Sequence, residues 1–80
     1  MRLDKFLKVS RIIKRRTVAN ESCDTGHVTV NGKTAKASHD VNVGDILEIR
    51  FGARMLRVEV LQTNESATKP GAEAMYRELL

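Results

Sequence analysis

Seven cationic side chains fall within the first sixteen residues of this chain: Arg2, Lys5, Lys8, Arg11, Lys14, Arg15 and Arg16, against a single acid, Asp4. The chemistry open to such a set is the holding of anionic oxygens. A guanidinium forks onto two phosphate oxygens at once, and an ammonium acts as a point charge. The remaining residues carry seven bases and nine acids, so the net +4 of the 80-residue chain is the balance of a +6 end and a −2 remainder. A field confined in this way belongs to a patch that faces a polyanion. A solvated helix face is the competing reading, and charge alone does not separate the two.

Other chemistry is poorly provided for. His27 and His39 each stand in a polar context without a clear partner for acid–base work or metal binding. Cys23 is the sole cysteine, so neither an internal disulfide nor a cysteine-only zinc site can form. It reads as a small core residue. No phosphate loop, dinucleotide fingerprint or metal-ligand cluster is present. The expectation is a non-enzyme that uses no cofactor and no metal. Aromatic residues are 4% of the chain, namely Phe6, Phe51 and Tyr76. The core must then be built mostly of Val, Ile and Leu, and recognition by stacked bases, which needs aromatic platforms, is disfavoured. The short, charge-interrupted apolar runs at the N-terminus do not resemble a signal peptide, and no run reaches the length of a membrane span. The expected compartment is the cytoplasm.

The elements that must position these groups follow from periodicity. Leu3, Phe6, Leu7 and Ser10 fall at helical spacing over residues 2 to about 10, with Arg2, Lys5 and Lys8 on a neighbouring face. Asp4 lies in the first turn, where the helix dipole favours a carboxylate; orienting an adjacent arginine is its sharper alternative. Ile12 and Ile13 follow, then the corner Lys14-Arg15-Arg16-Thr17. Thr17 is expected to cap a second helix over about Val18 to Asp24, ended by Gly26. Arg15 and Arg16 would then stand just before a helix N-terminus, where guanidinium and backbone N–H groups converge on a phosphate. This second helix is polar, with Val18, Ala19 and Cys23 as its expected buried contacts. Residues 27–30 alternate as a strand, and Asn31-Gly32 is a tight-turn signal leading into a second strand over 33–37. Residues 38–45 read as a turn-rich link with Val41 and Val43 tucked in. Ile46 to Phe51 and Leu56 to Val60 read as strands joined at Gly52-Ala53. Residues 62–71 form a polar linker. A final short helix is expected, with Ala72, Met75, Tyr76, Leu79 and Leu80 on one face. The fold class is therefore α+β, with two N-terminal helices packed on a small twisted, mostly antiparallel sheet. Residues 1–61 would form an RNA-binding domain and residues 62–80 a linker and C-terminal helix.

The RLDKFL opening, the KRRT corner, the Gly26-x-Val28-x-Val30-Asn31-Gly32 run and Val43-Gly44-Asp45-x-Leu47 resemble, in order, the S-four-type RNA-binding domain. The resemblance runs from about residue 2 to 61 and implies two helices that present a basic face to structured RNA, read by shape and phosphate position. It implies RNA contacts at Arg2, Lys5, Lys8, Arg11, Arg15, Arg16 and Thr17, with Lys33 and Lys36 as rim contacts. The family shows a bulky aliphatic pair in the second helix where this chain has Ser22-Cys23, so weak packing is expected there. Larger members carry the domain as an appendage to a catalytic domain. Small free-standing members with a similar opening, GDILEIRFG stretch and AMYRELL tail act in ribosome quality control. They bind the large ribosomal subunit blocked by peptidyl-tRNA, contact the P-site tRNA and a nearby rRNA helix, and assist a partner, RqcH, in adding an alanine tail to the stalled chain. By this resemblance the chain would be monomeric, with no membrane partner.

Three other readings compete. A general heat-shock or ribosome-recycling factor would bind the same subunit without affecting tail synthesis. A ubiquitin-like sulfur carrier shares the Asn-Gly and Val-Gly-Asp pattern but ends in Gly-Gly, where this chain ends Glu78-Leu79-Leu80. A protein-interaction module would use the acidic remainder and the apolar tail.

Overall fold

The computed structural model describes residues 1–63 and 74–79. Helix α1 spans Leu3–Val9 and α2 spans Arg16–Asp24. Five strands follow: β1 Val28–Val30, β2 Lys33–Thr34, β3 Ile46–Phe51, β4 Arg54–Val60 and β5 Tyr76–Leu79. They form one sheet in the order β2-β1-β3-β4-β5, and every pairing is antiparallel.

Register sets the faces. Val28 lies opposite Ile49, Val30 opposite Leu47, and Leu47 opposite Val58. Directly opposed residues project from the same side, so these side chains make one apolar face. Leu3, Phe6, Leu7, Ala19 and Cys23 of the helices are buried with them in a single cluster. The other face carries the polar row Thr29, Glu48 and Arg57, opposed in register. Two small residues, Ala19 and Cys23, are the buried residues of α2. Val18, expected with them, is 45% exposed. Ala19 and Cys23, four apart, define the buried face of α2, and Val18 falls to the exposed side of it.

Local turn chemistry behaves as its residue types require. Asn31 and Gly32 both take positive φ, at 52° and 87°, as a two-residue hairpin with primed turn geometry needs. The Asn31 side chain also accepts the Ile46 N–H (2.9 Å) and donates to Asp45 (3.1 Å), which ties this turn to the start of β3. The end of α2 is a Schellman motif: the His27 N–H donates to the Ser22 carbonyl, the Gly26 N–H to that of Cys23, and Gly26 has φ 81°. In the link before β3, Val41 is buried but Val43 is 63% exposed. Val43 sits beside Gly44 in a turn closed by Asp45, whose carboxylate accepts the Asn42 N–H, and a side chain at the tip of such a turn points away from the core.

The end of the chain differs most from the sequence reading. Tyr76–Leu79 is the edge strand β5, paired from Val60↔Tyr76 to Arg57↔Leu79, and not a helix. A nine-residue helix is marginal alone. The free edge of β4 offers a row of backbone partners, and pairing there lets Met75 be fully buried. The Leu61 and Gln62 N–H groups both donate to the Met75 carbonyl, and Arg77 ion-pairs with Glu59 across the strands. Most of the expected linker at 62–71, with Ala72 and Leu80 of the expected helix, lies outside the described residues.

Candidate nucleic-acid interface

The basic corner is built around Asp4. Its side chain is 2% exposed and gathers four neighbours. Arg2 donates through Nε to Oδ1 (3.1 Å) and through Nη2 to Oδ2 (3.3 Å). Asn20 Nδ2 donates to Oδ2 (3.1 Å), the Lys5 backbone N–H donates to Oδ1 (2.8 Å), and Arg16 Nε stands 3.5 Å from Oδ2. The sharper reading of Asp4 is therefore the correct one. The carboxylate does more than face a helix dipole: it orients two arginines, the N-cap residue of α1 and the first residue of α2. Burial raises its pKa, but the Arg2 and Asn20 hydrogen bonds, the Arg16 charge and the Lys5 N–H together outweigh burial and hold the carboxyl below its ordinary value.

The arginine side chains keep 50% and 47% of their surface exposed, for Arg2 and Arg16 respectively. Each therefore has donors left over that point outward, fixed in place by the buried acid. With Thr17 and Asn20 they line an open recess of about 590 Å³. A planar, preoriented guanidinium pair of this kind suits phosphate oxygens.

Thr17 does not cap α2. The helix begins two residues earlier than expected, Arg15 is its N-cap, and no side chain makes a capping bond. Thr17 thus lies inside the first turn and lines the recess. The N–H groups of Arg16, Thr17 and Val18 have no acceptor among the described residues, so the start of α2 presents bare donors next to the Arg2–Arg16 pair.

The other expected contacts are spread more widely. Lys8 is exposed in the last turn of α1. Lys5 lies in α1, half covered. Arg11 follows the cap of α1 with φ 64°, a left-handed conformation that costs a non-glycine residue about 1 kcal/mol. Lys33 opens β2 and faces a different recess, which it shares with Asn31 and Asp45. Lys36 is exposed beside Ala37, whose carbonyl takes the Asp4 N–H (3.2 Å). The structure thus brings Arg2, Arg16 and Thr17 together, sets Arg15 beside them, and leaves Lys33 apart. It adds Asn20, one of the polar residues of the second helix, which the sequence did not single out as part of the site. The signal was present: Arg16 and Asn20 are four apart and share a helix face, provided the helix starts at Arg16.

Cys23 and the histidines stand outside this site. Burial, reinforced by Asp4 and Asp24, pushes the Cys23 thiol up to about 12, so it is not a thiolate near neutral pH. His27 Nδ1 pairs with the Thr25 hydroxyl at 2.7 Å, and His39 is exposed. Among the described residues no group of three His, Cys, Asp or Glu could hold a metal ion, and no helix is long and apolar enough to cross a membrane.

Beside this architecture of two helices on an antiparallel sheet stands a family match: the S4 domain family model matches residues 1–47. The chain belongs to the S4 domain family. It is 58% identical over 76 residues to the RQC P-site tRNA stabilizing factor of Streptococcus pneumoniae, covering 95% of this chain and 86% of that one. It is 53% identical over 76 residues to the factor of the same name from Bacillus subtilis, covering 95% and 88%. Among solved structures, the trimeric heat shock protein 15 of Vibrio cholerae superposes with a TM-score of 0.90 at 31% identity, covering 99% of this chain and 81% of that one.

Proposed function

We propose that this chain is a non-catalytic RNA-binding factor of ribosome-associated quality control. It binds the large ribosomal subunit while a peptidyl-tRNA obstructs it, works in the cytoplasm as a monomer, and touches P-site tRNA and neighbouring rRNA. Residues 1–61 carry the contact surface. Arg2, Arg15, Arg16 and Thr17 form its centre, Lys5, Lys8 and Arg11 extend it along α1, and Lys33 and Lys36 stand at its rim. Bound there, it supports a partner resembling RqcH in adding alanine to the stalled chain. One observation carries the reading: half-exposed Arg2 and Arg16, locked on buried Asp4, flank the uncapped start of α2. The names borne by the S. pneumoniae and B. subtilis relatives support the choice of RNA.

Co-sedimentation with large subunits, with and without retained peptidyl-tRNA and at two salt concentrations, tests it. The expected result is preferential binding to the obstructed subunit, weakened by salt and reduced roughly a hundredfold in an Arg15→Ala/Arg16→Ala variant. Undiminished binding by that variant would remove the corner from the interface. The likeness to V. cholerae heat shock protein 15 favours a second reading, a general large-subunit factor. That reading requires equal binding to both kinds of subunit and no change in alanine tailing when the chain is omitted. Light scattering of the free protein separates a monomer from the trimer described for the V. cholerae protein.

A further inference from the structure

Beside the corner, the β3–β4 hairpin carries an aromatic ring that the core does not use. Phe51 follows the buried Leu47 and Ile49 at two-residue spacing on the same face of β3, yet it is 41% exposed because it lies past the cover of the helices. Val18 of α2, 45% exposed, lines the same surface. Two shallow recesses of about 420 and 450 Å³ share these two side chains. Ile12, Lys14 and Arg15 line the first, and Glu21, His27 and Arg50 line the second. Arg54 is opposite Phe51 in register, so it projects from the same face of the hairpin. The exposed Phe51 and Val18 side chains are thus bordered by Lys14, Arg15, Arg50 and Arg54, against one acid, Glu21.

We propose that Phe51 is a stacking platform for one unpaired RNA base, whose flanking phosphates are held by Lys14 and Arg15 on one side and by Arg50 and Arg54 on the other. The inference rests on the RNA-binding reading of the corner and extends it on to the sheet, with Arg15 common to both. The chemistry selects the ligand. A nucleobase is planar and apolar on its faces and is joined to anionic phosphates, which matches an aromatic face ringed by cations. An ordinary apolar protein surface would bury those cations without partners. Scarcity of aromatic residues excludes a stacked run of bases but leaves room for one.

The chain has no tryptophan, so a Phe51→Trp variant carries a single reporter at the site. At low salt its fluorescence is quenched by a twelve-nucleotide oligoadenylate and not by an abasic strand of the same length; equal effects of the two strands, or none, overturn the proposal. On large subunits holding peptidyl-tRNA, Phe51→Tyr binds as the unaltered protein does, whereas Phe51→Leu and Phe51→Ala bind roughly tenfold more weakly. Unchanged binding by Phe51→Leu overturns stacking and marks the patch as a protein-docking surface. Failure of the unaltered protein to bind subunits would instead sink the quality-control reading, and the oligoadenylate titration would still decide the stacking site.

Discussion

At the start of α1 the Leu3 and Asp4 N–H groups donate to the His39 and Ala37 carbonyls, and the Lys5 N–H donates to the Asp4 carboxylate. At the start of α2 the N–H groups of Arg16, Thr17 and Val18 find no acceptor among the described residues, and the N-cap is an arginine. The first helix end is sealed into the fold by the chain that follows β2. The second is left open, and cations are placed around it where a capping carboxylate would ordinarily sit. A helix end that the chain closes is architecture; one left bare among oriented guanidinium groups is prepared for an anion from outside. Asp4 links the two, since it closes α1 and aims the arginines toward α2.

Removing that link should have the largest effect on the fold. Asp4→Asn leaves Arg2 and Arg16 without their buried counter-charge and is expected to cost about 2 kcal/mol, read as a lower urea midpoint at unchanged slope. The acid response should change with it. The Asp4 carboxyl titrates lower in the folded chain than in the unfolded one. Its contribution is therefore full above the unfolded pKa and is lost as pH falls through the folded value. Thermal unfolding followed across that acidic range should be steeper with pH in the unaltered protein than in Asp4→Asn.

The open end can be closed by design. Arg15→Asp supplies α2 with the cap it lacks and should stabilise the fold by about 1 kcal/mol, while subunit binding falls because the new carboxylate takes the anion's place. A loss of stability in that variant would mean that the start of α2 is already satisfied. Arg11 gives a smaller effect. Arg11→Gly relieves the left-handed backbone but frees the unfolded chain, for a net gain of about 0.5 kcal/mol. The salt dependence of subunit binding should become shallower by somewhat under one unit of slope if Arg11 meets a phosphate. An unchanged slope would take Arg11 off the interface.

The parts legible in the sequence were those written locally. Asn31-Gly32 specifies its hairpin because both residues tolerate positive φ, and Gly26 ends α2 for the same reason. The alternation through Ile46–Phe51 and Arg54–Val60 marks two strands with one apolar face. The basic opening was visible as a charge count, and with it the general place of the Arg2–Arg16 cluster. Less legible were positions that depend on a neighbour far along the chain. Val18 and Val43 are as apolar as Ala19 and Val41, and only the face that α2 turns to the core and the tip of a turn put them outside.

The sequence by itself determined the two helices, the four successive strands and the cationic end, because helical and strand periods, turn residues and charge are properties of short segments. Tertiary structure decided the rest. It made Tyr76–Leu79 a strand, since the open edge of β4 offers backbone partners that an isolated short helix cannot match. It also turned a first-turn aspartate into the pivot of the site. Burial beside Arg16 and Asn20, residues of the other helix, makes an unpaired carboxylate costly and a paired one directional, and no local pattern records which partner will arrive.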